Sequence, residues 1–506
     1  MPRIVSFGFL VLWGKWSAFA DLQPAKIFSD HMVLQRDAAV PVWGWADADT
    51  SVTVAFADQS VTTKADEGGR WKLKLDPMVA SATGRSLEIS SGTRKVTIRD
   101  VLVGDVWFAG GQSNMDYKVQ GMARRLPEGK ALAEAANYSA IRHRKVSEKS
   151  APRPQADLTG GSWVVCTPQS VYGFSGVAFV FARRLHVELK VPVGIIDCAW
   201  GGTPIEPYVP ASAFKGHPTL VKLATLAKAG DFEAIKKMPG GTFARSPAWL
   251  AGAIYNGRIA PVAPYGICGA IWYQAESNCG KGEDPRDYRY KQRALVQGWR
   301  QAWNNQNLPF FYVQLPQWKS YAWTYAREEQ FRAMEVAGTG MVVTIDLDNA
   351  NDIHPPNKID VGERLALWPL AKLYGKKIPF SGPLFREVEI RGTEAIVRFD
   401  YAEEGLIAGR IKSIGKIIEV KDADLNGFEL ADMDGVWHPA KAKVEGQTVM
   451  VKSLQVKQPV AVRYACHPEA PEDRPWNLYN KSGLPASPFC SDWGKMPYDP
   501  AENPMR

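Results

Sequence analysis

The stretch Val106-Trp107-Phe108-Ala109-Gly110-Gly111-Gln112-Ser113-Asn114-Met115 places a serine directly after a short apolar run. The apolar run is typical of a buried strand, and the two glycines after it let the backbone turn sharply or approach a ligand closely. A serine at such a strand end is positioned for nucleophilic attack, and its own N–H can point at a developing oxyanion. Gly, Ser and Asn are also ordinary turn formers, so this stretch alone leaves both interpretations open.

Four later apolar runs are similar to the one before the serine and are separated by stretches with helical spacing. They span residues 193–196, 270–273, 310–315 and 342–345. Runs without polar alternation are typical of strands buried on both faces, and such strands form parallel sheets covered by helices. The sequence therefore predicts an α/β fold whose parallel sheet is flanked by helices.

Two segments that follow apolar runs carry polar side chains suited to catalysis. Residues 271–278 end in amides and a carboxylate, and residues 351–358 contain His354 next to carboxylates. Because ligands of open α/β sheets bind at the carboxyl ends of the strands, we expect both segments to lie near Ser113. A free hydroxyl is a poor nucleophile near neutral pH, and an imidazole with a pKa of about 6.5 can take its proton.

The regions on either side of the predicted sheet have a different pattern. Residues 21–100 alternate in short runs broken by Gly and Asp, which predicts a small antiparallel β-sandwich. Residues 101–379 are the predicted catalytic domain, with a lysine-rich helical insertion at about 211–250 that either covers the cleft or embellishes the surface. Short strands return in residues 380–506 and predict a C-terminal β region.

Several widely spaced motifs occur in a fixed order between Leu22 and Phe489. They are Met32-Val33-Leu34-Gln35-Arg36, Val42-Trp43-Gly44-Trp45, Gly104-Asp105-Val106-Trp107, Gly111-Gln112-Ser113-Asn114-Met115, Trp200-Gly201-Gly202-Thr203, Trp272-Tyr273-Gln274, Asp352-Ile353-His354-Pro355, Asn477-Leu478-Tyr479-Asn480 and Gly483-Leu484-Pro485. In this order they resemble the sialate O-acetylesterase family, within the wider SGNH-hydrolase fold. Chance agreement over so many separate motifs is improbable.

The resemblance implies a two-step acyl transfer with Ser113 as nucleophile and His354 as the base that later protonates the leaving alcohol. It also implies an oxyanion hole formed by the Ser113 N–H, a backbone N–H of Gly201-Gly202 and the Gln274 side chain. Acyl transfer of this kind implies no metal and no organic cofactor.

The group that orients His354 is left open by the sequence. Many SGNH hydrolases place an aspartate three residues before the histidine, but that position is Asn351 here and the carboxylate is Asp352. Asp352 is our candidate, because a carboxylate near the imidazole fixes its tautomer and stabilises the imidazolium. In the alternative, a backbone carbonyl holds the ring and Asp352 caps the following turn.

Three residues near these motifs are candidates for substrate contact, namely Asn114, Glu276 and Arg258. Arg258 stands where relatives often carry methionine, and it either pairs with a carboxylate in the cleft or lies exposed with a solvated head. Glu276 either binds sugar hydroxyls or anchors its loop. Ala275 replaces a glycine of the family motif, which affects the chemistry only if this position requires a positive φ.

Composition and the first residues narrow the class of protein. A chain of 506 residues with 45% hydrophobic and 23% charged residues fits a folded protein of several domains. Residues 1–20 combine a charge, an apolar core and a small-residue cleavage site, which predicts an export signal and a secreted or periplasmic protein. No later run approaches the ~20 apolar residues of a membrane span. The net charge of +8 is dispersed without a basic cluster or reader motif, which excludes nucleic-acid binding.

The six cysteines lack the short paired spacing of a zinc site. In an exported protein some can form disulfides, and the pairs closest in sequence are Cys268 with Cys279 and Cys466 with Cys490.

Three functional hypotheses follow from the sequence. The first is a carbohydrate O-acetylesterase that removes 9-O-acetyl groups from sialic acid, as the resemblance implies. The second keeps the chemistry but takes acetylated plant polysaccharide such as xylan or xyloglucan, because the fold and the triad fix the reaction rather than the sugar. The third is a non-catalytic sugar-binding protein. In each case the partner is a carbohydrate, and the sequence leaves the oligomeric state undetermined.

Overall fold

Eight strands precede the first helix in the computed structural model, which describes residues 21–238, 249–280, 283–347 and 350–503. They are β1 (Gln23–Pro24), β2 (Val33–Gln35), β3 (Val40–Trp45), β4 (Ser51–Phe56), β5 (Gln59–Lys64), β6 (Arg70–Leu75), β7 (Ser81–Ser91) and β8 (Arg94–Gly111). Strand β6 buries every second side chain, as expected for antiparallel strands with one face on a core. The pairs β3–β6, β4–β5, β4–β7 and β7–β8 are all antiparallel.

The central sheet continues from β8 with six further strands, and those in its middle are fully buried. They are β9 (Tyr138–Lys145), β10 (Val164–Cys166), β11 (Val193–Asp197), β12 (Gly269–Tyr273), β13 (Phe310–Val313) and β14 (Thr339–Val342). Their order across the sheet is β10-β9-β11-β8-β12-β13-β14. All neighbours from β9 to β14 are parallel, whereas β10 is antiparallel to β9. The predicted α/β fold is therefore confirmed, with an antiparallel edge strand that makes the sheet mixed.

Strand β8 links the N-terminal strands to the central sheet. Its first half pairs antiparallel with β7, and its second half lies between the parallel strands β11 and β12. The chain thus passes from one sheet pattern to the other within a single strand, across the predicted boundary between residues 100 and 101.

Nine helices are present in the described parts of the chain. They are α1 (Ser113–Asp116), α2 (Val119–Arg125), α3 (Pro127–Glu134), α4 (Gly176–Leu189), α5 (Pro218–Ala229), α6 (Phe232–Lys236), α7 (Tyr288–Ala302), α8 (Tyr321–Arg332) and α9 (Lys358–Lys372). Successive residues of β8 point to opposite faces of the sheet. Trp107 contacts Phe181 of α4 with 4.9 Å between ring centroids, and Phe108 contacts Trp299 of α7 at 5.0 Å. Helices therefore cover both faces, which is why the inner strands β11, β12 and β13 and the second half of β8 are almost entirely apolar.

The predicted helical insertion is partly described. It contains α5 and α6 and the short 3₁₀ turn Ala211–Ala213, while residues 239–248 lie outside the described residues. The predicted export signal at residues 1–20 also lies outside them. Among the described residues, none of the helices has the length and apolar content needed to cross a membrane.

The C-terminal part of the described chain consists of antiparallel strands. They are β15 (Leu384–Arg391), β16 (Glu394–Asp400), β17 (Leu406–Ser413), β18 (Lys416–Glu419), β19 (Phe428–Ala431), β20 (Trp437–Pro439), β21 (Lys441–Glu445), β22 (Thr448–Lys452), β23 (Ala461–Tyr464), β24 (Leu478–Asn480) and β25 (Phe489–Cys490). They form sheets in the orders β15-β16-β22-β21, β18-β17-β24 and β20-β19-β23-β25. Phe385 and Phe489 stack at 4.4 Å between two of these sheets.

All six cysteines are free thiols in this structure. Cys268 precedes β12 and donates to the Val106 carbonyl oxygen at 3.2 Å, whereas Cys279 lies in the turn after the strand. Cys466 donates to the Phe489 carbonyl oxygen at 3.0 Å rather than bonding to Cys490. The closest pairs in sequence are therefore not disulfides here.

Candidate active site

Ser113 begins α1 one residue after β8 ends, at the carboxyl edge of the sheet. The turn depends on Gly111, whose φ is +137° and where an added Cβ would lie 2.1 Å from the Tyr273 carbonyl oxygen. Only glycine fits such a position. The N–H of Gln112 donates to the same carbonyl at 3.0 Å, which ties the serine loop to the end of β12. The serine is thereby held in a fixed, half-buried position.

His354 approaches the serine from the loop before α9. Its Nε2 lies 2.8 Å from Ser113 Oγ, within hydrogen-bonding distance. Burial of the half-buried ring lowers its pKa, the positive charges of Lys358 and Arg125 lower it further, and Asp352 opposes them. A histidine with a lowered pKa is neutral near pH 7 and can accept the serine proton. The structure therefore brings the predicted nucleophile and base together.

Asp352 contacts His354 through the backbone rather than through the imidazole in the hydrogen bonds of the described residues. Its Oδ1 accepts the His354 N–H at 2.7 Å, and its Oδ2 accepts a hydrogen bond from Arg125 Nη1. These donors outweigh partial burial and lower the pKa of the carboxyl group, so it is ionised at neutral pH. Asp352 is thus placed to shape the histidine loop, which is close to the capping alternative raised by the sequence.

Three backbone N–H groups around Ser113 have no acceptor within the described part of the chain: those of Ser113, Gly201 and Gly202. The Gly201 loop lies against the serine loop, because the Trp200 N–H donates to the Gly111 carbonyl at 3.0 Å. A Cβ added at Gly201 would lie 3.7 Å from Ser113 Cβ. Unpaired N–H groups this close to the hydroxyl are suited to bind an oxyanion.

Gln274 is fully buried and its side chain is engaged by protein groups. Its Nε2 donates to Gln112 Oε1 at 3.0 Å and to Asn278 Oδ1 at 2.8 Å, and its Oε1 accepts the Tyr288 hydroxyl at 2.7 Å. A direct hydrogen bond to an oxyanion would require one of these bonds to be exchanged. The predicted oxyanion contact of Gln274 stays a prediction, and the structure shows the residue supporting the serine loop through Gln112.

The hydrogen bonds that hold Gln274 continue deeper into the protein through further buried polar residues. Asn278 Nδ2 donates to both carboxylate oxygens of Glu206 at 3.0 Å. Lys291 Nζ lies 2.8 Å from Glu206 Oε1 and 2.9 Å from Asp287 Oδ1. Buried polar networks that are well satisfied rigidify their surroundings. This one also contacts the segment that follows Gly201 and Gly202, since the Ile205 N–H donates to Asn278 at 3.0 Å.

Asn114 and Glu276 meet beside the serine. Asn114 is fully buried, and its Nδ2 donates to Glu276 Oε1 at 2.6 Å and to the Ile353 carbonyl at 2.9 Å. Burial raises the pKa of the Glu276 carboxyl group, while the hydrogen bond from Asn114 and the charge of Lys358 oppose that rise. These contacts connect the loops that carry Ser113, Glu276 and His354.

Residues 103–368 match the family model described as carbohydrate esterase, sialic acid-specific acetylesterase. The chain belongs to this family. The protein is a carbohydrate O-acetylesterase and hence a carboxylic-ester hydrolase, which sets aside the hypothesis of a non-catalytic sugar-binding protein.

Proteins similar to this carbohydrate esterase match it over nearly their whole lengths. Sialate O-acetylesterase of Rattus norvegicus is 28% identical and covers 97% of this chain and 98% of its own. Sialate O-acetylesterase of Homo sapiens is 28% identical over 95% of each chain. Among solved structures, a carbohydrate acetylesterase from Xanthomonas citri is 33% identical, with a TM-score of 0.80 over 93% of this chain and 99% of that one.

Arg258 of the carbohydrate esterase is fully buried, so the expectation of an exposed, solvated arginine is wrong. It lies on a turn of π-helix, Tyr255–Ile259, which directs the side chain inward. Its Nη2 donates to the Val146 carbonyl at 2.6 Å, and its guanidinium lies 5.6 Å from the Trp200 ring centroid. Arg258 therefore packs beside the tryptophan that precedes Gly201, and its contact with substrate stays a prediction.

Sequence reasoning about this acetylesterase did not single out Lys358. Its Nζ donates to Asn114 Oδ1 at 2.6 Å and to the Pro355 carbonyl at 2.5 Å, and the side chain is fully buried. One signal was available in the sequence. A lysine at the first position of a helix opposes the helix dipole, so its presence there needs another reason.

Ala275 has a positive φ of +152°, the backbone conformation for which the family's glycine would matter. A non-glycine residue in this region is strained by about 1–3 kcal/mol. The replacement of the family glycine therefore has a structural cost in this carbohydrate esterase, at the residue before Glu276.

Proposed function

We propose that the protein hydrolyses acetyl esters of sialic acid, 9-O-acetyl sialic acid in particular, through an acetyl-serine intermediate on Ser113. The observation that supports this most is the 2.8 Å contact between Ser113 Oγ and His354 Nε2, beside three backbone N–H groups that have no acceptor among the described residues. A nucleophile, a base and oxyanion donors are the three parts that acyl transfer requires.

In the first step Ser113 Oγ attacks the acetyl carbonyl carbon while its proton passes to His354 Nε2. The carbonyl oxygen becomes an oxyanion, which the N–H groups of Ser113, Gly201 and Gly202 stabilise. The intermediate collapses, the C–O bond to the sugar breaks, and the imidazolium returns the proton to the sugar oxygen. Water then attacks the acetyl-serine with His354 as base, and acetate leaves as Ser113 regains its proton.

Asp352 contributes to this mechanism by holding the histidine loop. It accepts the His354 N–H and pairs with Arg125, so the carboxylate stays charged. A negative charge near the imidazole also favours the imidazolium that forms after proton transfer. Gln274 acts beneath the serine loop, and Asn114 and Glu276 act beside it.

The preference for an acidic sugar is supported by the positive net charge of the chain, part of which lies close to the site. Lys118 and Lys145 are partly exposed and lie 2.8 Å and 2.5 Å from Oδ1 of Asp116, three residues after Ser113. Arg125 is partly exposed beside the histidine loop, 3.4 Å from the His354 carbonyl oxygen. Because each of these cations is paired with a carboxylate, the support comes mainly from the net charge of +8, which favours approach of a substrate that carries a carboxylate.

Acetate release by the purified protein tests this proposal. 9-O-Acetyl-N-acetylneuraminic acid and acetylated xylo-oligosaccharides are offered in parallel to the unchanged protein and to Ser113→Ala. We expect release from the sialic acid substrate to fall at least about 10³-fold in Ser113→Ala, because the nucleophile is lost. Ser60→Ala, which changes an exposed serine of β5, is the matched control and should keep full activity.

The outcomes separate mechanism from substrate. Full activity in Ser113→Ala would contradict the serine mechanism. A serine-dependent reaction that prefers the xylo-oligosaccharides would contradict the sialic acid assignment and favour plant polysaccharide. Labelling of Ser113 by a fluorophosphonate, read by mass spectrometry, checks nucleophilicity without any choice of sugar.

The proposal includes export of the protein from the cytoplasm. Residues 1–20 have the pattern of a cleaved signal, and the proposed substrate is a glycan. N-terminal sequencing of the protein recovered from outside the cytoplasm should begin at Asp21. A mature chain that retains residues 1–20 would contradict secretion or periplasmic export by this signal.

A further inference from the structure

Lys358 is a charged side chain enclosed at the centre of the site. It is the first residue of α9 and is fully buried. Its Nζ lies 5.1 Å from the ring centroid of Tyr117 and 5.6 Å from that of Tyr273. Two strong acceptors, Asn114 Oδ1 at 2.6 Å and the Pro355 carbonyl at 2.5 Å, receive its hydrogen bonds.

Asn114 connects Lys358 to the loops that carry Ser113, Glu276 and His354. The residue follows Ser113, and its amide oxygen is held by Lys358. Its amide nitrogen binds Glu276 Oε1 at 2.6 Å and the Ile353 carbonyl, next to His354, at 2.9 Å. One buried side chain pair therefore contacts the serine loop, the loop after β12 and the histidine loop.

A buried ammonium at this position is costly and needs a compensating benefit. Removal of an ion from water carries a large free-energy penalty even after the surrounding protein relaxes. The positive end of the helix dipole at the start of α9 adds an unfavourable interaction. A methionine of similar length would fill the space without these costs. The aromatic rings and the two acceptors offset the penalty, and the contacts lead to the catalytic pair.

We propose that Lys358 is a positioning residue that, through Asn114 and the Pro355 carbonyl, holds Ser113 and His354 at their reacting distance. The inference rests on the proposed serine mechanism. Without the Lys358 contacts, Asn114 and the 353–355 segment lose their common anchor. A misplacement of about 1 Å between the reacting groups is enough to slow the reaction about 100-fold.

The charge of Lys358 also acts on the imidazole. The charged groups that influence His354 are Lys358 and Arg125, which lower its pKa, and Asp352, which raises it. Removal of the Lys358 charge therefore raises the pKa of His354. Because only the neutral imidazole is a base, the acidic limb of the kcat/KM profile should move to higher pH.

Two substitutions separate position from charge. Lys358→Met removes both, and we expect kcat to fall about 100-fold, with KM within about threefold and the acidic limb at higher pH. Lys358→Arg keeps the charge in a larger, planar group that does not fit the ammonium site. We expect kcat to fall while the acidic limb stays in place. Lys372→Met, which changes an exposed lysine in the last turn of α9, is the control and should alter neither.

Several results would overturn the inference. Lys358→Met with kcat within twofold of the unchanged protein and an unmoved acidic limb would show that the lysine has no positioning role. An acidic limb that moves equally in Lys358→Arg would contradict the role of charge. If Lys358→Met does not fold by circular dichroism, Lys358→Arg alone decides whether position matters. Ser113→Ala keeps the two proposals apart, since its full activity would refute the serine mechanism itself.

Discussion

Asp352→Asn tests how the base of this acetylesterase is held. One carboxylate oxygen accepts the His354 N–H at 2.7 Å, and the other is paired with Arg125. Asparagine retains an oxygen for the N–H but loses the charge and the ion pair. If Asp352 instead held the imidazole ring as a triad aspartate does, the same substitution would lower kcat by about 10⁴-fold.

The contacts in the structure predict a much smaller loss. A hydrogen bond to a charged group contributes about 1.5–3 kcal/mol and a neutral one about 0.5–1.5, so the exchange costs about 1 kcal/mol. The side chains of Arg125 and Asp352 are 45% and 30% exposed, and such pairs contribute at most about 1 kcal/mol. At about 1.4 kcal/mol for each factor of ten, kcat/KM should fall about 10-fold and no more than about 30-fold.

The assay is acetate release measured as kcat/KM across the acidic and neutral pH range. Asp352 raises the pKa of His354, so its neutralisation lowers that pKa and moves the acidic limb to lower pH. Asp284→Asn is the matched control, because it removes a comparable exposed pair with Arg286. A loss approaching about 10⁴-fold would refute the backbone-holding role and restore the triad contact with the ring.

Three further substitutions test the backbone and the interior. Gly111→Ala should abolish esterase activity and lower the free energy of unfolding by about 2–5 kcal/mol in urea titrations. The reason is that the new Cβ would lie 2.1 Å from the Tyr273 carbonyl oxygen. Unchanged stability would contradict this close approach. Ala275→Gly should raise the melting temperature, with about 1 kcal/mol of relieved strain at φ +152°, and a lower melting temperature would contradict the strain. Burial raises the pKa of Glu329 from 4.5 to about 8. The folded state therefore keeps a proton that the unfolded state releases, and this residue's contribution to stability falls as pH rises through that range. Glu329→Gln should raise the urea midpoint at pH 8 and not at pH 4; an equal change at both would contradict the linkage.

The arrangement of the site could be predicted from the sequence because it follows from the sheet. The serine and glutamate loops both follow apolar strands, and parallel strands end at one edge. The register of β8 and β12 pairs Gly111 with Tyr273, so the two loops leave the sheet at the same level. The predicted proximity of Ser113 and His354 needed no knowledge of side-chain packing.

The direction of individual side chains could not be predicted in the same way. Arg258 lies inward because its backbone forms a π-helical turn, and the residue types of 255–259 do not identify that register. The side-chain amides of Gln274 and Asn114 could hydrogen-bond an oxyanion, a sugar hydroxyl or a neighbouring carboxylate equally well. Several of their actual partners are distant in sequence, such as Gln112 for Gln274 and Glu276 and Lys358 for Asn114, and local patterns do not reveal them.

The unusual backbone conformations of Gly111 and Ala275 explain why the serine motif predicts a catalytic site only together with the motif at residues 271–278. Gly111 and Ala275 both have positive φ, and they lie at the ends of adjacent strands. Next to them in the chain, Gln112 after Gly111 and Gln274 before Ala275 are both buried, and Gln274 donates to Gln112 at 3.0 Å. Buried amides must find partners, so each loop needs the other to satisfy its polar groups. The backbone strain at Ala275 therefore accompanies the hydrogen bonds that the two loops share in the interior. Either motif alone would form an ordinary turn, in which Ser113 or Glu276 would have no fixed position.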